Sequence, residues 1–238
     1  MTNAFVLCAG KGERLWPLSA VLPKCLWPIG GKPCVRVIVD NLLKSHIDVT
    51  ICCLFDDFSL YQHEFRDVSG INFRESATPL GTAGQINAQM VRMTGPDFEH
   101  FKDDILVVYG DCLVDVDYTK LLKVHRESRA TATLVLSNRV RSEFGDVNVH
   151  GQHDAVVGFH EKPFLPGWTW TGVAALNPDA SEYLIPGKDF AIDVFPEMLS
   201  KGHHLHAYKV EKAYYDIGTV SAYSRVNELA KQGRLFKE

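Results

Sequence analysis

The sequence predicts an α/β fold in which a mixed, mostly parallel sheet is flanked by helices. Two observations carry this. Up to about residue 129, short apolar runs alternate with amphipathic stretches, a β-α-β-α rhythm that implies a parallel sheet covered by helices. From about Ala130 the pattern changes to short strands with little helix between them, which makes the sheet mixed.

Taken in order, Ala4-Phe5-Val6-Leu7-Cys8 reads as a buried strand that runs into the glycine-rich Ala9-Gly10-Lys11-Gly12. A helix is predicted over 35–43, a strand over 48–54 and a helix over 59–65. A short strand at 71–73 leads to a helix over 82–93. The strongly apolar strand 105–109 ends at Gly110-Asp111, and Asp117 suits the N-cap of a helix over 118–128. Strands follow at 131–136, 146–149, 155–160 and 170–176, then a helix over 191–199, a strand at 205–210 and a terminal helix over 221–233. No repeat, low-complexity linker or charge run marks a boundary, so the second half reads as an elaboration of the same sheet and 1–238 as a single domain.

Composition removes several classes of function. A hydrophobic fraction of 46% and a charged fraction of 23% are those of a soluble globular chain, not of a disordered, collagen-like or membrane protein. With 25 Lys and Arg against 29 Asp and Glu, the net charge of −4 gives no broad field for nucleic acid or membrane, and neither partner is expected. A local basic pocket for a small anion is compatible with that balance. No apolar stretch approaches the roughly 20 residues of a spanning helix, and the opening lacks a basic segment followed by a long apolar one. Cys8, Cys25, Cys34, Cys52, Cys53 and Cys112 show no CxxC pair or metal-ligand spacing, so free thiols and a cytoplasmic location are expected.

The chemistry concentrates between Leu7 and Pro33. Glycines let backbone amides approach a phosphate, and consecutive N–H groups form an anion nest. Arg14 can neutralise a polyphosphate and Lys24 supplies a second point charge. A Walker loop is excluded because Pro33 follows Gly31-Lys32 and no suitable upstream glycine exists. A dinucleotide fingerprint is excluded because Leu15 stands at the third glycine position. Gly10 and Gly12 alone fit a tight turn as well as a phosphate loop; Arg14, Pro23 and Lys24 at these offsets favour the phosphate loop.

With Leu7-Cys8-Ala9-Gly10-Lys11-Gly12-Glu13-Arg14-Leu15-Trp16-Pro17-Leu18-Ser19, then Pro23-Lys24-Cys25-Leu26-Trp27-Pro28 and Lys32-Pro33, the chain resembles the sugar-1-phosphate nucleotidyltransferases. Within that family the pattern is most similar to mannose- or heptose-1-phosphate guanylyltransferases and short uridylyltransferases. Further motifs follow in the family's order: Pro79-Leu80-Gly81-Thr82-Ala83-Gly84, Gly110-Asp111, Glu161-Lys162-Pro163, Thr171-Gly172-Val173 and Tyr215-Asp216-Ile217-Gly218-Thr219. The resemblance implies a Rossmann-like, GT-A-like nucleotidyltransferase fold. It divides the chain into a nucleotide-binding part (1–129), a sugar-binding part (130–220) and a terminal helix (221–238), with no room for a C-terminal β-helix.

The same resemblance implies the site. Leu7, Ala9, Gly10, Lys11, Gly12, Glu13, Arg14, Pro79, Gly81 and Thr82 bind the nucleoside triphosphate, with Arg14 and Lys24 as the catalytic cations. Gly145, Glu161, Lys162, Gly172 and Asp193 take the sugar phosphate. Asp111 and Asp216 form an oxygen-ligand site for Mg²⁺, completed by substrate phosphates and water. The implied reaction is attack of a sugar-1-phosphate oxygen on the α-phosphorus of the triphosphate, giving a nucleotide sugar and pyrophosphate for glycan or cell-envelope synthesis, with GTP favoured. UTP, CTP or dTTP dependence is the alternative, and a homodimer is allowed. Tyr109, Val220 and Tyr215 depart from the residues relatives commonly carry there, which touches substrate identity more than the reaction.

Three other features invite competing readings. Asp115-Val116-Asp117 resembles the D-x-D of glycosyltransferases, but Asp117 fits better as a helix cap. His203, His204 and His206 read as a solvated turn rather than a metal patch. Trp168 and Trp170 are packing residues by default, with sugar stacking as the alternative. A non-catalytic homologue is disfavoured because Arg14, Lys24, Asp111, Lys162 and Asp216 are all present.

Overall fold

The computed structural model describes residues 2–94, 103–151 and 153–237. β1 (Asn3–Leu7) is followed by a one-turn helix α1 (Leu18–Val21) and a small hairpin of β2 (Pro28–Ile29) and β3 (Lys32–Pro33). Then come α2 (Cys34–Lys44), β4 (Asp48–Leu54), α3 (Phe58–Glu64) and β5 (Ile71–Ser76). α4 (Thr82–Thr94) precedes β6 (Ile105–Tyr109), β7 (Cys112–Val114) and α5 (Tyr118–Ser128). The second half supplies β8 (Ala132–Arg139), β9 (Asp146–His150), β10 (Ala155–His160) and β11 (Thr169–Leu176). It closes with α6 (Phe195–Ser200), β12 (Leu205–Asp216) and α7 (Val220–Lys231).

Eight strands form one sheet in the order β5-β4-β1-β6-β11-β8-β12-β7. The β5-β4-β1-β6 block is parallel, as is the β8–β12 pair; β11 runs antiparallel to β6 and β8, and β7 to β12. The sequence rhythm therefore gives the expected mixed, mostly parallel sheet. β9 and β10 stand apart as a two-stranded ribbon with most of its residues exposed.

Uninterrupted apolar strands arise because both faces of the sheet are covered. In β1, Ala4 and Val6 join one core while Phe5 and Leu7 join the other. β6 divides likewise, with Leu106 and Val108 on one face and Ile105 and Val107 on the opposite one. α2 covers the first face with Val35, Ile38, Val39 and Leu42, a helical i, i+3, i+4, i+7 stripe, while Arg36 and Asp40 pair outside at 3.1 Å. α4 covers the second face with Ala83, Ile86 and Met90. Truncating the fully buried Phe5 to Ala should cost about 3–5 kcal/mol. Asp117 caps α5 as expected, accepting from Lys120 N at 2.9 Å.

Besides the small β2–β3 hairpin, α1 and a β5 longer than expected, three departures from the sequence reading bear on the site. The expected helix over 191–199 begins instead as a π-helical turn, Phe190–Val194, because Asp193 N and Val194 N both donate to Asp189 O and Pro196 cannot donate to the ladder. The last strand continues past Val210 through a bulge to Asp216. β7, three residues long, was not expected as a strand. It pairs antiparallel with the end of β12, Cys112 opposite Asp216, and so decides the site's geometry.

Candidate active site

At the C-terminal ends of β1 and β6 the chain turns away from the sheet, where open parallel sheets place their ligand sites. The loop after β1 tightens into a turn over Glu13–Leu15, with Leu15 N donating to Gly12 O at 2.8 Å. Leu15 is buried by that turn and Arg14 projects at the mouth, its side chain 68% exposed. Arg14 Nη2 stands 3.8 Å from Asp216 Oδ2. Gly218 allows this approach: a Cβ there would meet Arg14 Nη2 at 2.5 Å.

Lys24 opens the next short turn and points inward to form an ion pair with Asp111. Asp111 is buried directly after β6, and Ile217 N donates to its carbonyl oxygen at 3.2 Å. The β7–β12 pairing thereby sets Asp216 beside Asp111. Asp216 Oδ1 accepts from Gly218 N at 2.7 Å. Burial, followed by the neighbouring Asp111 charge, pushes the Asp216 carboxyl above the usual range, against the Gly218 N–H, Lys24 and Arg14. Burial, the largest single influence, would lower Lys24, but the neighbouring groups together, Asp111 foremost, outweigh it and keep the ammonium charged. The site is thus two carboxylates and two cations balanced in a partly dry cleft.

Two adjoining cavities meet at Arg14, Lys24 and Pro79. One, of about 590 Å³, is lined by Lys11, Gly12, Glu13 and Gly218 besides those three. The other, of about 450 Å³, reaches Leu7, Ala9, Gly10, Gly81, Thr82, Asp111, Gly172 and Asp216. The residues expected from the sequence to meet the triphosphate, both carboxylates and Gly172 therefore line the same pair of cavities. Lys162 lines a third cavity that shares Arg14, Asp216 and Gly218 with the others, and its backbone holds a left-handed φ of 47°. Gly145 and Glu161 face each other on the exposed ground at the foot of the β9–β10 ribbon, outside all three cavities.

Asp193 also lies outside these cavities: its Oδ2 accepts from Asp189 N at 2.7 Å, so it holds the turn together. Of the two acids in this turn, Asp189, four residues earlier, is the one that lines the second cavity. Asp189 Oδ2 accepts from Thr82 Oγ1 at 2.9 Å and Thr82 Oγ1 accepts from Phe190 N, which ties the start of α4 to the 189–195 segment. Gly81 makes this closeness feasible, having φ 73° and no room for a Cβ against the Lys188 carbonyl.

Several cavity residues are absent from the sequence reading: Gln85, Tyr214 and Asp189. Tyr109, noted there as a departure bearing on substrate identity, also lines the cavity, whereas Gln85 and Asp189 carry no motif. Trp170, read as packing with sugar stacking as the alternative, has a double position. Its Nε1 donates to Val173 O at 2.9 Å and its ring meets Tyr109 and Phe195 edge-on, yet it lines the cavity. The remaining clusters are structural. Asp115 pairs with Lys212 at 3.4 Å and Asp117 is a cap, so neither acid of the D-x-D serves the cleft. His203 bonds Thr131 through Nδ1 and Tyr183 through Nε2. All six cysteines are buried free thiols.

A family model described as nucleotidyl transferase matches residues 3–233. The chain is 30% identical over 242 residues to a UTP–glucose-1-phosphate uridylyltransferase from Synechocystis sp., covering 93% of this chain and 61% of that protein. It is 29% identical over 237 residues to a mannose-1-phosphate guanylyltransferase from Mycobacterium tuberculosis, covering 94% of this chain and 63% of that one. A D-glycero-alpha-D-manno-heptose 1-phosphate guanylyltransferase from Campylobacter jejuni is 29% identical over 225 residues, with 93% and 96% covered. The chain thus spans only about three fifths of the first two relatives but nearly the whole of the third. Among solved structures, HddC from Yersinia pseudotuberculosis superposes with a TM-score of 0.70 at 20% identity, covering 96% of this chain and 99% of that one, a likeness of fold.

Proposed function

The chain belongs to the nucleotidyl transferase family, and from that membership we infer that it transfers a nucleoside monophosphate from a nucleoside triphosphate to a sugar 1-phosphate. The observation that carries the reading is the convergence of Arg14, Lys24, Asp111 and Asp216, from separate segments, on one cleft at the ends of parallel strands. A phosphate oxygen of the sugar 1-phosphate forms the new bond to the α-phosphorus as the α–β bridging bond breaks, and pyrophosphate leaves with the electron pair. The nucleophile is already ionised at neutral pH, so no general base is needed. The chain's work is to screen two anions, align them and stabilise the charge of the transition state.

Arg14, mostly exposed at the mouth, holds the departing pyrophosphate through its planar fork. Lys24, kept charged beside Asp111, meets the α-phosphate region, and Lys162 meets the sugar phosphate. Asp111 and Asp216 fit a magnesium ion by the chemistry of their donor set: two carboxylates face one cavity, and one of them is destabilised as an anion by burial and by the other. When bound there, Mg²⁺ supplies charge neutralisation between the carboxylates and the substrate phosphates.

GTP with a mannose- or heptose-type sugar 1-phosphate is the first candidate pair, from the Gly81-Thr82-Ala83-Gly84 form and the near full-length likeness to the Campylobacter guanylyltransferase. UTP with glucose 1-phosphate is the second, from the Synechocystis relative. The test is a panel of the common nucleoside triphosphates against hexose and heptose 1-phosphates with Mg²⁺, following pyrophosphate. Release with one pair well above the rest is expected; no release with any pair sinks the reading.

A further inference from the structure

Gln85 lines the second cavity and has no part in the proposed reaction. It lies in the first turn of α4, only 5% exposed, with its Oε1 lacking a hydrogen-bond partner among the described residues. An acceptor left this way costs stability, and native structures carry few of them. Three of its polar neighbours in the cavity are engaged elsewhere, while the Tyr109 hydroxyl, like Gln85 Oε1, has no hydrogen-bond partner among the described residues. The Thr82 hydroxyl is tied to Asp189 and Phe190 N, the Asp189 carboxylate also caps Ala191 N, and the Trp170 indole is spent on Val173 O.

The surroundings of that amide define the chemistry it meets. Tyr109 and Trp170 share its cavity, their ring centroids 5.2 Å apart and their planes at 72°. A planar base stacks on one flat face. A corner of two rings near a right angle suits a puckered, saturated ring, whose C–H bonds meet both rings while its hydroxyls reach a polar group beside them. The cavity lined by Lys11, Gly12 and Glu13, the anion-holding side, contains none of Gln85, Tyr109 or Trp170. An uncharged amide also fits a neutral hydroxyl better than a charged substituent.

We propose that Gln85 is a specificity-determining residue whose side-chain amide accepts a hydrogen bond from a hydroxyl of the sugar 1-phosphate in the corner made by Tyr109 and Trp170. The assignment rests on the transferase reading and adds which end of α4 reads the sugar. A site built to pair with a hydroxyl rejects analogues that lack it far more strongly than an apolar pocket rejects a changed methylene. The orphaned acceptor in the unliganded protein is the counterpart of that selectivity.

The test uses Gln85→Leu and, as a second variant, Gln85→Met, with the common nucleoside triphosphates, against glucose, mannose, galactose and D-glycero-D-manno-heptose 1-phosphates and each monodeoxy derivative of the preferred one. Wild type is measured first, by pyrophosphate release and by thermal shift with each sugar 1-phosphate. If wild type neither turns over nor is stabilised by any of them, the transferase reading itself fails. Given a responsive wild type, the variants should unfold at the same temperature as wild type or higher when unliganded, since an unpaired acceptor has been removed. KM for the preferred sugar 1-phosphate should rise about tenfold, the scale of one lost hydrogen bond, with KM for the triphosphate unchanged. Discrimination against one monodeoxy derivative should collapse towards unity. A change confined to the triphosphate KM, or full retention of sugar discrimination in both variants, overturns the proposal.

Discussion

Replacing Lys24 by Met should lower stability and activity together, and a second substitution should separate the two losses. The Lys24 side chain is 19% exposed and that of Asp111 10%, so the pair lies largely out of water. Removing one partner of a buried pair leaves an uncompensated charge and costs about 3–5 kcal/mol. For a chain of this size each kcal/mol is worth roughly 2–4 °C in Tm, so Lys24→Met should melt about 6–20 °C below wild type. Asp216, already raised by burial and by Asp111, adds to the strain once the cation is gone. The double variant Lys24→Met, Asp111→Asn removes both charges and should recover most of the lost stability, a coupling that a double-mutant cycle measures directly. Turnover should not return, because the proposed α-phosphate contact and one carboxylate would both be missing. The assay is thermal unfolding in chelator, with pyrophosphate release on the same samples. A single variant within about 0.5 kcal/mol of wild type, or a double variant no more stable than the single, would refute the electrostatic reasoning.

Other expectations concern the frame that holds the cleft. Burial lowers the pKa of His125 despite Asp104 at 3.9 Å, while its Nδ1 pairs with Thr133 Oγ1 at 2.8 Å. The unfolded chain therefore takes up a proton that the folded one refuses as pH falls below about 6.5, so stability declines until the folded value is reached. Thermal unfolding should show a shallower acid-side decline in His125→Gln than in wild type; an identical slope contradicts this. Asp117→Ala removes the side-chain acceptor for Lys120 N and should cost about 1 kcal/mol, read as a small drop in Tm with KM values unchanged. Gly81→Ala should cost at least about 1–2 kcal/mol from its left-handed backbone, more from contact with the Lys188 carbonyl. It should also raise substrate KM by moving the 189–195 segment, and a variant kinetically identical to wild type would show that segment to be irrelevant to binding.

The parallel half of the sheet was legible because burial on both faces writes itself as an apolar run, and 48–54 and 105–109 emerged with the observed bounds. The glycine loop was legible for a different reason: Arg14 and Lys24 stand at offsets that a mere turn does not require. What the sequence hides is pairing between distant segments. β7 is too short to show a period, and only its partner at the end of β12 makes it a strand and sets Asp111 beside Asp216. The acids of the 189–193 turn illustrate a second limit. Asp189 and Asp193 are one turn apart, and which of them faces the cavity depends on the π-helical winding that Pro196 and the Asp189 carbonyl impose. Gln85 is invisible for a third reason: a polar residue in the first turn of a helix is ordinary, and only its burial and empty acceptor mark it.

The central claim is that one cleft joins a nucleoside monophosphate to a sugar phosphate, and product stoichiometry tests it most directly. Phosphorus NMR of a reaction containing the triphosphate and sugar 1-phosphate selected by the panel should show nucleotide sugar and pyrophosphate appearing in equal amounts, with neither formed by Asp111→Asn. Pyrophosphate accumulating with free nucleoside monophosphate and no nucleotide sugar, or undiminished synthesis by Asp111→Asn, would contradict the account.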